Sequence, residues 1–167
     1  MTINPIDFML TTIFRTTNSS NWFLLRIALG IVMLGHGLQK SLGWFGGFGW
    51  DGSMQHFTDF VGLPSSLAAF IILVESLGAL FLILGFAGRI MAGLMGIIIV
   101  GALAVDHAAH GFFMNWLNTQ KGEGIEFDIL FLSIAIVISI NGSGKLSIDG
   151  RLYNYLNEKK ESRLSRT

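Results

Sequence analysis

The sequence contains no cysteine among its 167 residues. A chain without thiols cannot form a disulfide-stapled secreted fold, bind an iron–sulfur cluster through its own thiolates, or run thiol redox chemistry through its own sulfur. Charge is also scarce, since only 13% of the residues are charged, against about 25% in a soluble domain. The charges of eleven basic and eleven acidic side chains cancel, so the net charge is zero. Because no positive charge is left over, we expect no nucleic acid as a partner.

Apolar residues dominate instead, at 51% of the chain with a mean hydropathy of +0.60. Four runs are long and apolar enough to cross a bilayer, for which about 20 residues are needed. They must be helices, because an open strand would leave its amides unpaired in hydrocarbon. We therefore predict an all-α integral membrane protein, a four-transmembrane-helix bundle. The runs are Trp22 to Lys40, Ser65 to Phe86, Arg89 to Ala108 and Ile125 to Ile140.

The length of the chain fits one membrane domain spanning residues 1–167. Within it we predict an interfacial N-terminal segment (1–21), the four-helix bundle (22–142) and a basic cytoplasmic tail (143–167). The N-terminal segment lacks a basic start and a small-residue cleavage site, so we expect it not to be a cleavable signal peptide.

Orientation follows from where lysine and arginine are missing. The stretch from Ser41 to Pro64 has neither, and the loop after the third run has only Lys121. Basic residues favour the cytoplasmic side, so we predict cytoplasmic termini and outward-facing long loops. The basic residues on the predicted inner side are Arg15, Arg89, Lys145, Arg151, Lys159, Lys160, Arg163 and Arg166.

Two charged residues fall deep within the predicted spans, where a charge costs at least ~2.5–3.5 kcal/mol. Arg26 and Glu75 lie at depths that an extended arginine side chain can bridge. We predict that they form a buried ion pair between the first two helices. In the alternative interpretation, Arg26 reaches the inner head groups and Glu75 is protonated.

Further titratable residues converge near the outer ends of the spans. His36 and Lys40 share a face of the first helix, and acids and histidines end the third run and open the fourth. We predict a polar pocket near the outer face, because ligands commonly bind between the helices of a bundle. The predicted ligand-binding residues are Arg26, His36, Lys40, Glu75, Asp106, His107, His110 and Glu126.

Histidine beside an acid can pass protons at neutral pH. On that ground, His36, His107 and Glu75 are the candidate catalytic residues. Asp128 is interpreted as a first-turn acid favoured by the helix dipole. A histidine at a helix end can equally be a plain interfacial residue, and this alternative stays open for each of them.

Haem and metal are both weak hypotheses. His36 and His107 could together ligate one haem iron, but no histidine at the inner helix ends would serve a second haem. Two histidines nearly a turn apart, His107 and His110, suit zinc only weakly. We assign no metal-binding residue, and the sequence has no flavin or iron–sulfur motif.

The order and spacing of several motifs resemble those of the DoxX family of small membrane proteins, from about Trp22 to Asp149. Two features depart from the family pattern, namely Asp106 before the histidine and the polar tail from Asn154 onward. The matching motifs are Leu25 to Gly30, His36 to Lys40, Glu75 with the small residues after it, His107 to Phe112, Gly124 to Phe127 and Gly142 to Asp149.

This resemblance implies a multi-pass, four-helix protein of the cell inner (plasma) membrane. Related DoxX/DoxD-type subunits are linked to thiosulfate:quinone oxidoreductase and to membrane complexes that handle oxidative stress. More distant eukaryotic relatives act as cargo receptors and receptor-assembly chaperones. Since the family shares no single activity, the fold alone does not choose between them.

Two hypotheses of function stay open, one catalytic and one not. The first is a redox-associated small subunit that binds a quinone in the outer pocket and exchanges electrons with a cytoplasmic or membrane redox partner. The alternative is a non-catalytic assembly, chaperone or scaffold module, or a small-solute carrier. The expected partners are the lipid bilayer, the redox partner and, as a further alternative, other copies of the chain.

Overall fold

The computed structural model describes residues 5–17 and 19–164, which contain helices and no strand. The all-α prediction is confirmed for this part of the chain. The helices are α1 (Pro5–Ile13), α2 (Asn21–Leu42), α3 (Gly49–Gln55), α4 (Ser65–Leu84), α5 (Gly88–Val105), α6 (Glu126–Asn141) and α7 (Ile148–Leu164).

Three of these helices, α2, α4 and α5, are long and apolar enough to cross a membrane. They coincide with the first three predicted runs, although α5 ends at Val105 and the next residues, His107–His110, form a 3₁₀ turn. Helix α6 matches the fourth run within one residue. Its 16 residues extend about 24 Å, and it packs along α5 and α2.

The core of the bundle is formed by buried apolar side chains of α2, α4, α5 and α6, such as Met33, Leu82, Met95 and Ile138. Large apolar side chains also cover the outside, with Ile97 70% exposed. An apolar exterior suits lipid rather than water.

Helices α2 and α4 touch backbone to backbone at one point. A Cβ atom on Gly37 would overlap the backbone of Glu75, so only glycine fits there. Around Glu75, the residues Val74–Gly78 are wound as a π-helical turn inside α4. Such turns occur often at functional sites, and this one carries a buried acid.

At one end of the bundle, called the tail end, α2 and α5 begin and α4 and α6 finish. Residues 142–150 fold under the helices here. The Asp149 carboxylate accepts hydrogen bonds from the backbone N–H groups of Ala87 (2.7 Å) and Gly88 (2.9 Å) and from the Ser143 hydroxyl (2.6 Å). Asp149 thus caps the start of α5, where unpaired N–H groups and the helix dipole favour an anion.

Arg26 also lies at the tail end, with 1% of its surface exposed. Its Nη1 donates to the carbonyls of Leu82 (2.8 Å) and Ile83, and its Nη2 donates to Leu146 (2.7 Å). The predicted Arg26–Glu75 ion pair is therefore wrong. The unpaired carbonyls that end α4 carry partial negative charge and accept the hydrogen bonds of Nη1 in place of a carboxylate.

The sequence-based division placed residues 143–167 in a tail. In the structure Ser143, Ser147 and Asp149 are buried, so the chain up to Gly150 belongs to the packed bundle. The polar helix α7 then packs against α1. Residues 1–4 of the predicted interfacial segment and 165–167 of the predicted tail lie outside the described residues.

The buried cap yields the first prediction. Asp149→Asn replaces one acceptor oxygen by an NH2 group, which cannot accept a hydrogen bond, so we expect a loss of about 1–3 kcal/mol in unfolding free energy. Thermal unfolding of the purified protein in detergent measures this loss. The exposed Asp51 provides the control, since Asp51→Asn should leave the melting temperature unchanged. Equal melting temperatures for the two variants would contradict the assigned role of Asp149.

Candidate functional site

A cavity of about 370 Å³ lies among α2, α4, α5 and α6, near the end where α2 and α5 finish. We call this the pocket end. One group of lining residues is apolar or small, and the other is ionisable. The first comprises Met33, Ile98, Ile99, Ala102, Met114, Gly124, Phe127 and Phe131, and the second comprises His36, Lys40, Glu75, His107, Glu123 and Asp128.

Helix α2 contributes Met33, His36 and Lys40 to the cavity. Their spacing of three and four residues puts them on one face of the helix. The Lys40 ammonium lies 2.5 Å from Glu75 Oε2, with 26% of the lysine side chain and 6% of the glutamate side chain exposed. A buried carboxylate requires such a partner, so Lys40 compensates the charge on the π-helical turn.

The second polar contact joins His107, in the turn after α5, to Asp128, in the first turn of α6. The distance from Nδ1 to the Asp128 Oδ2 is 2.7 Å, and only 2% of the aspartate side chain is exposed. A carboxylate on one ring nitrogen fixes the orientation of an imidazole and determines which nitrogen carries the proton.

The segment 111–125, called the cap segment, folds over the pocket end. Backbone bonds from Ile125 and Glu126 to Gly111 and Phe112 close its base. The Glu126 carboxylate accepts the N–H of Met114 at 3.1 Å, so this acid shapes the segment that contributes Met114 to the cavity.

Within the cap segment itself, Glu123 lines the cavity and also accepts the N–H of Asn115 at 2.7 Å. The backbone of the cap segment is thus held by side chains near the cavity, and its Met114 forms part of the wall.

The structure brings together four of the predicted ligand-binding residues, namely His36, Lys40, Glu75 and His107. The other four do not line this cavity. Arg26 lies at the tail end, Glu126 holds the cap segment, and Asp106 and His110 contact each other, with 3.5 Å between Oδ1 and Nδ1.

Asp128, interpreted from the sequence as an acid favoured by the helix dipole, is in the structure a lining residue of the cavity. A signal was available, because Asp128, Phe131, Ala135 and Ile138 are the buried residues of α6 and follow helical spacing. That stripe would have placed the aspartate on the inward face. Glu123 is one of the acids that precede the fourth helix, and it was not among the residues predicted to bind a ligand, although it lines the cavity.

The described residues contain no cluster of three or more histidines and acids arranged to hold a metal ion. The cavity instead combines apolar walls with hydrogen-bonding and proton-exchanging groups. This combination is typical of sites that bind small organic molecules.

The apolar exterior, the membrane-length helices and the interior polar cavity define a multi-pass helical membrane protein. The family model of DoxX matches residues 21–108, from the start of α2 to the turn that carries His107. The chain belongs to the DoxX family, and the resemblance seen in its motifs is confirmed.

A protein of Bacillus subtilis (strain 168), named "Putative oxidoreductase CatD", is similar to this chain. The two are 32% identical over 126 residues, which cover 75% of this chain and 82% of the relative. No solved structure matches the chain significantly.

The Lys40–Glu75 contact gives a prediction of stability. Lys40→Met leaves the buried Glu75 carboxylate without its cation, which should cost about 3 kcal/mol of unfolding free energy. The double variant Lys40→Met/Glu75→Gln removes both charges and should recover most of that loss. Thermal unfolding in detergent tests both, with the exposed Lys121→Met as the matched control. If the double variant is less stable than Lys40→Met, the pair does not carry the assigned compensation.

Proposed function

We propose that this protein is a quinone-linked redox subunit of the membrane, and that its cavity binds the quinone head group. The observation that carries the proposal is the grouping of His36, Lys40 and His107 around one cavity whose remaining walls are largely apolar. Support also comes from the DoxX family and from the relative named as an oxidoreductase.

The lining residues fit the chemistry of a quinone ring. Its flat apolar face requires walls such as Met33, Phe127 and Phe131, and its two oxygens require hydrogen-bonding groups. Lys40 and His36 come from α2, whereas His107 follows α5. Groups from different elements can therefore serve different oxygens. A cavity of about 370 Å³ is at the lower end for ligand sites, so the head group rather than the tail would occupy it.

Reduction of the dione takes up two electrons and two protons and converts both carbonyls to hydroxyls. In this proposal His36 and His107 exchange the protons, because an imidazole changes charge near neutral pH. The electrons are exchanged with a redox partner protein, since the sequence offers neither cysteine nor a flavin motif.

We also propose that the protein lies in the cell inner membrane and crosses it four times. Helix α6 counts as the fourth span because it packs along α5. Exposed basic residues at the tail end include Arg15, Lys145 and Arg151. By the positive-inside rule, the tail end and both termini face the cytoplasm, and the cavity lies near the outer face.

One observation favours the alternative of a non-catalytic assembly, scaffold or carrier module. Glu75 and Asp128, the buried acids of the cavity, already have partners within the protein. In this alternative the two contacts lock the helices together, and the cavity binds no quinone.

Ligand binding separates the two candidates. We expect quinone in organic extracts of protein purified in mild detergent, and saturable binding of tetramethyl-1,4-benzoquinone, whose methyl groups block addition by lysine. His36→Ala should weaken this binding roughly tenfold, the equivalent of one hydrogen bond. His56, a histidine outside the cavity lining, gives the control His56→Ala, which should bind normally. Extracts without quinone, together with no binding on titration, would favour the non-catalytic module.

The proposed orientation can be tested because the chain has no cysteine of its own. Thr119 lies in the cap segment and Lys159 in α7, and both are exposed. In right-side-out vesicles, a membrane-impermeant maleimide should label Thr119→Cys at once and Lys159→Cys only after permeabilisation. The reverse pattern would overturn the orientation, and immediate labelling of both would overturn the four-span count.

A further inference from the structure

The contact between His107 and Asp128 determines which ring nitrogen of the histidine carries the proton. An ionised carboxylate only accepts hydrogen bonds, so at the 2.7 Å contact with Asp128 the proton of a neutral His107 sits on Nδ1. The other ring nitrogen, Nε2, then carries a lone pair and acts as an acceptor.

The charges around the cavity add further acceptors. Three carboxylates line it, those of Glu75, Glu123 and Asp128, against the single ammonium of Lys40. Lys40 is already paired with Glu75. The lining therefore has more hydrogen-bond acceptors than donors and an excess of negative charge while the histidines are neutral.

From this balance we infer that the cavity binds the reduced, hydroxyl-bearing form of its ring ligand more tightly than the oxidised dione. The inference rests on the proposed function and names the redox form that the site selects. A hydroquinone brings two O–H donors, and one of them donates to Nε2 of His107. A dione brings only acceptors, which would face the acceptors of the lining. Asp128 is the positioning residue, because it acts through His107.

Tighter binding of the hydroquinone would change the reduction potential of the bound ligand. Tighter binding of the reduced form raises the reduction potential of the bound ligand. A tenfold preference corresponds to about 30 mV for a two-electron couple. The protein would then hold its ligand reduced at potentials where the free ligand is oxidised.

Anaerobic titration calorimetry of the full chain with tetramethyl-1,4-benzoquinone and, separately, its hydroquinone tests the inference. The wild-type protein should bind the hydroquinone at least tenfold more tightly. In Asp128→Asn the amide can donate to Nδ1, which moves the proton of His107 to Nε2, as happens when the aspartate of a catalytic triad becomes asparagine. The ratio of the two dissociation constants should fall to about one or below. The exposed Asp51→Asn is the matched control and should keep the wild-type ratio.

His107→Gln provides a second variant that does not depend on the stability of Asp128→Asn. Its amide can both donate and accept, so the ratio should again fall towards one, whereas His56→Gln should keep the wild-type ratio. If neither form binds the wild-type protein, the proposed function fails. If both forms bind with equal affinity, or the dione binds more tightly, the inference fails alone. A tenfold preference that survives in both cavity variants overturns the roles of Asp128 and His107.

Discussion

The cost of holding a charge in hydrocarbon organises this bundle. An ionised side chain at the bilayer centre costs at least ~2.5–3.5 kcal/mol even on insertion scales. The buried charged side chains of the described helices point inward and contact specific partners. At the tail end Arg26 and Asp149 satisfy the exposed backbone groups that end one helix and begin the next. Towards the pocket end, Glu75 and Asp128 are satisfied by side chains.

The two ends therefore differ in what they can do. At the tail end the polar groups are engaged with backbone and hold the helices in register, which leaves little for a ligand. At the pocket end the polar groups belong to side chains that surround a cavity and can change protonation. The close contact of Gly37 with the π-helical turn at Glu75 fixes one wall, and a site on rigid elements is held more precisely than one on loops.

Hydropathy predicted the positions of helices α2, α4, α5 and α6 closely, and the positions of His36, Lys40 and His107 along their runs placed all three near one end. Depth alone could not identify partners, because it does not fix the rotation of a helix, and this is why Arg26 was assigned to Glu75 instead of to backbone carbonyls. Backbone acceptors carry no sequence signal. The contact between His107 and Asp128 joins residues that are 21 positions apart in the sequence. It depends on how closely α5 and α6 approach each other. In the sequence, only the stripe of inward-facing residues on α6 indicates that Asp128 faces the interior.

The central claim is that the ionisable side chains at the pocket end surround a cavity that water can reach, instead of facing lipid. The most direct measurement compares two single-cysteine variants on α5 in reconstituted bilayers, Ala102→Cys in the cavity wall and Val100→Cys on the exposed apolar face. Thiols react as thiolates, which form in water and not in hydrocarbon. The account predicts that a small methanethiosulfonate reagent modifies position 102 quickly and position 100 slowly. Faster modification at position 100, or equal slow rates at both, would contradict it.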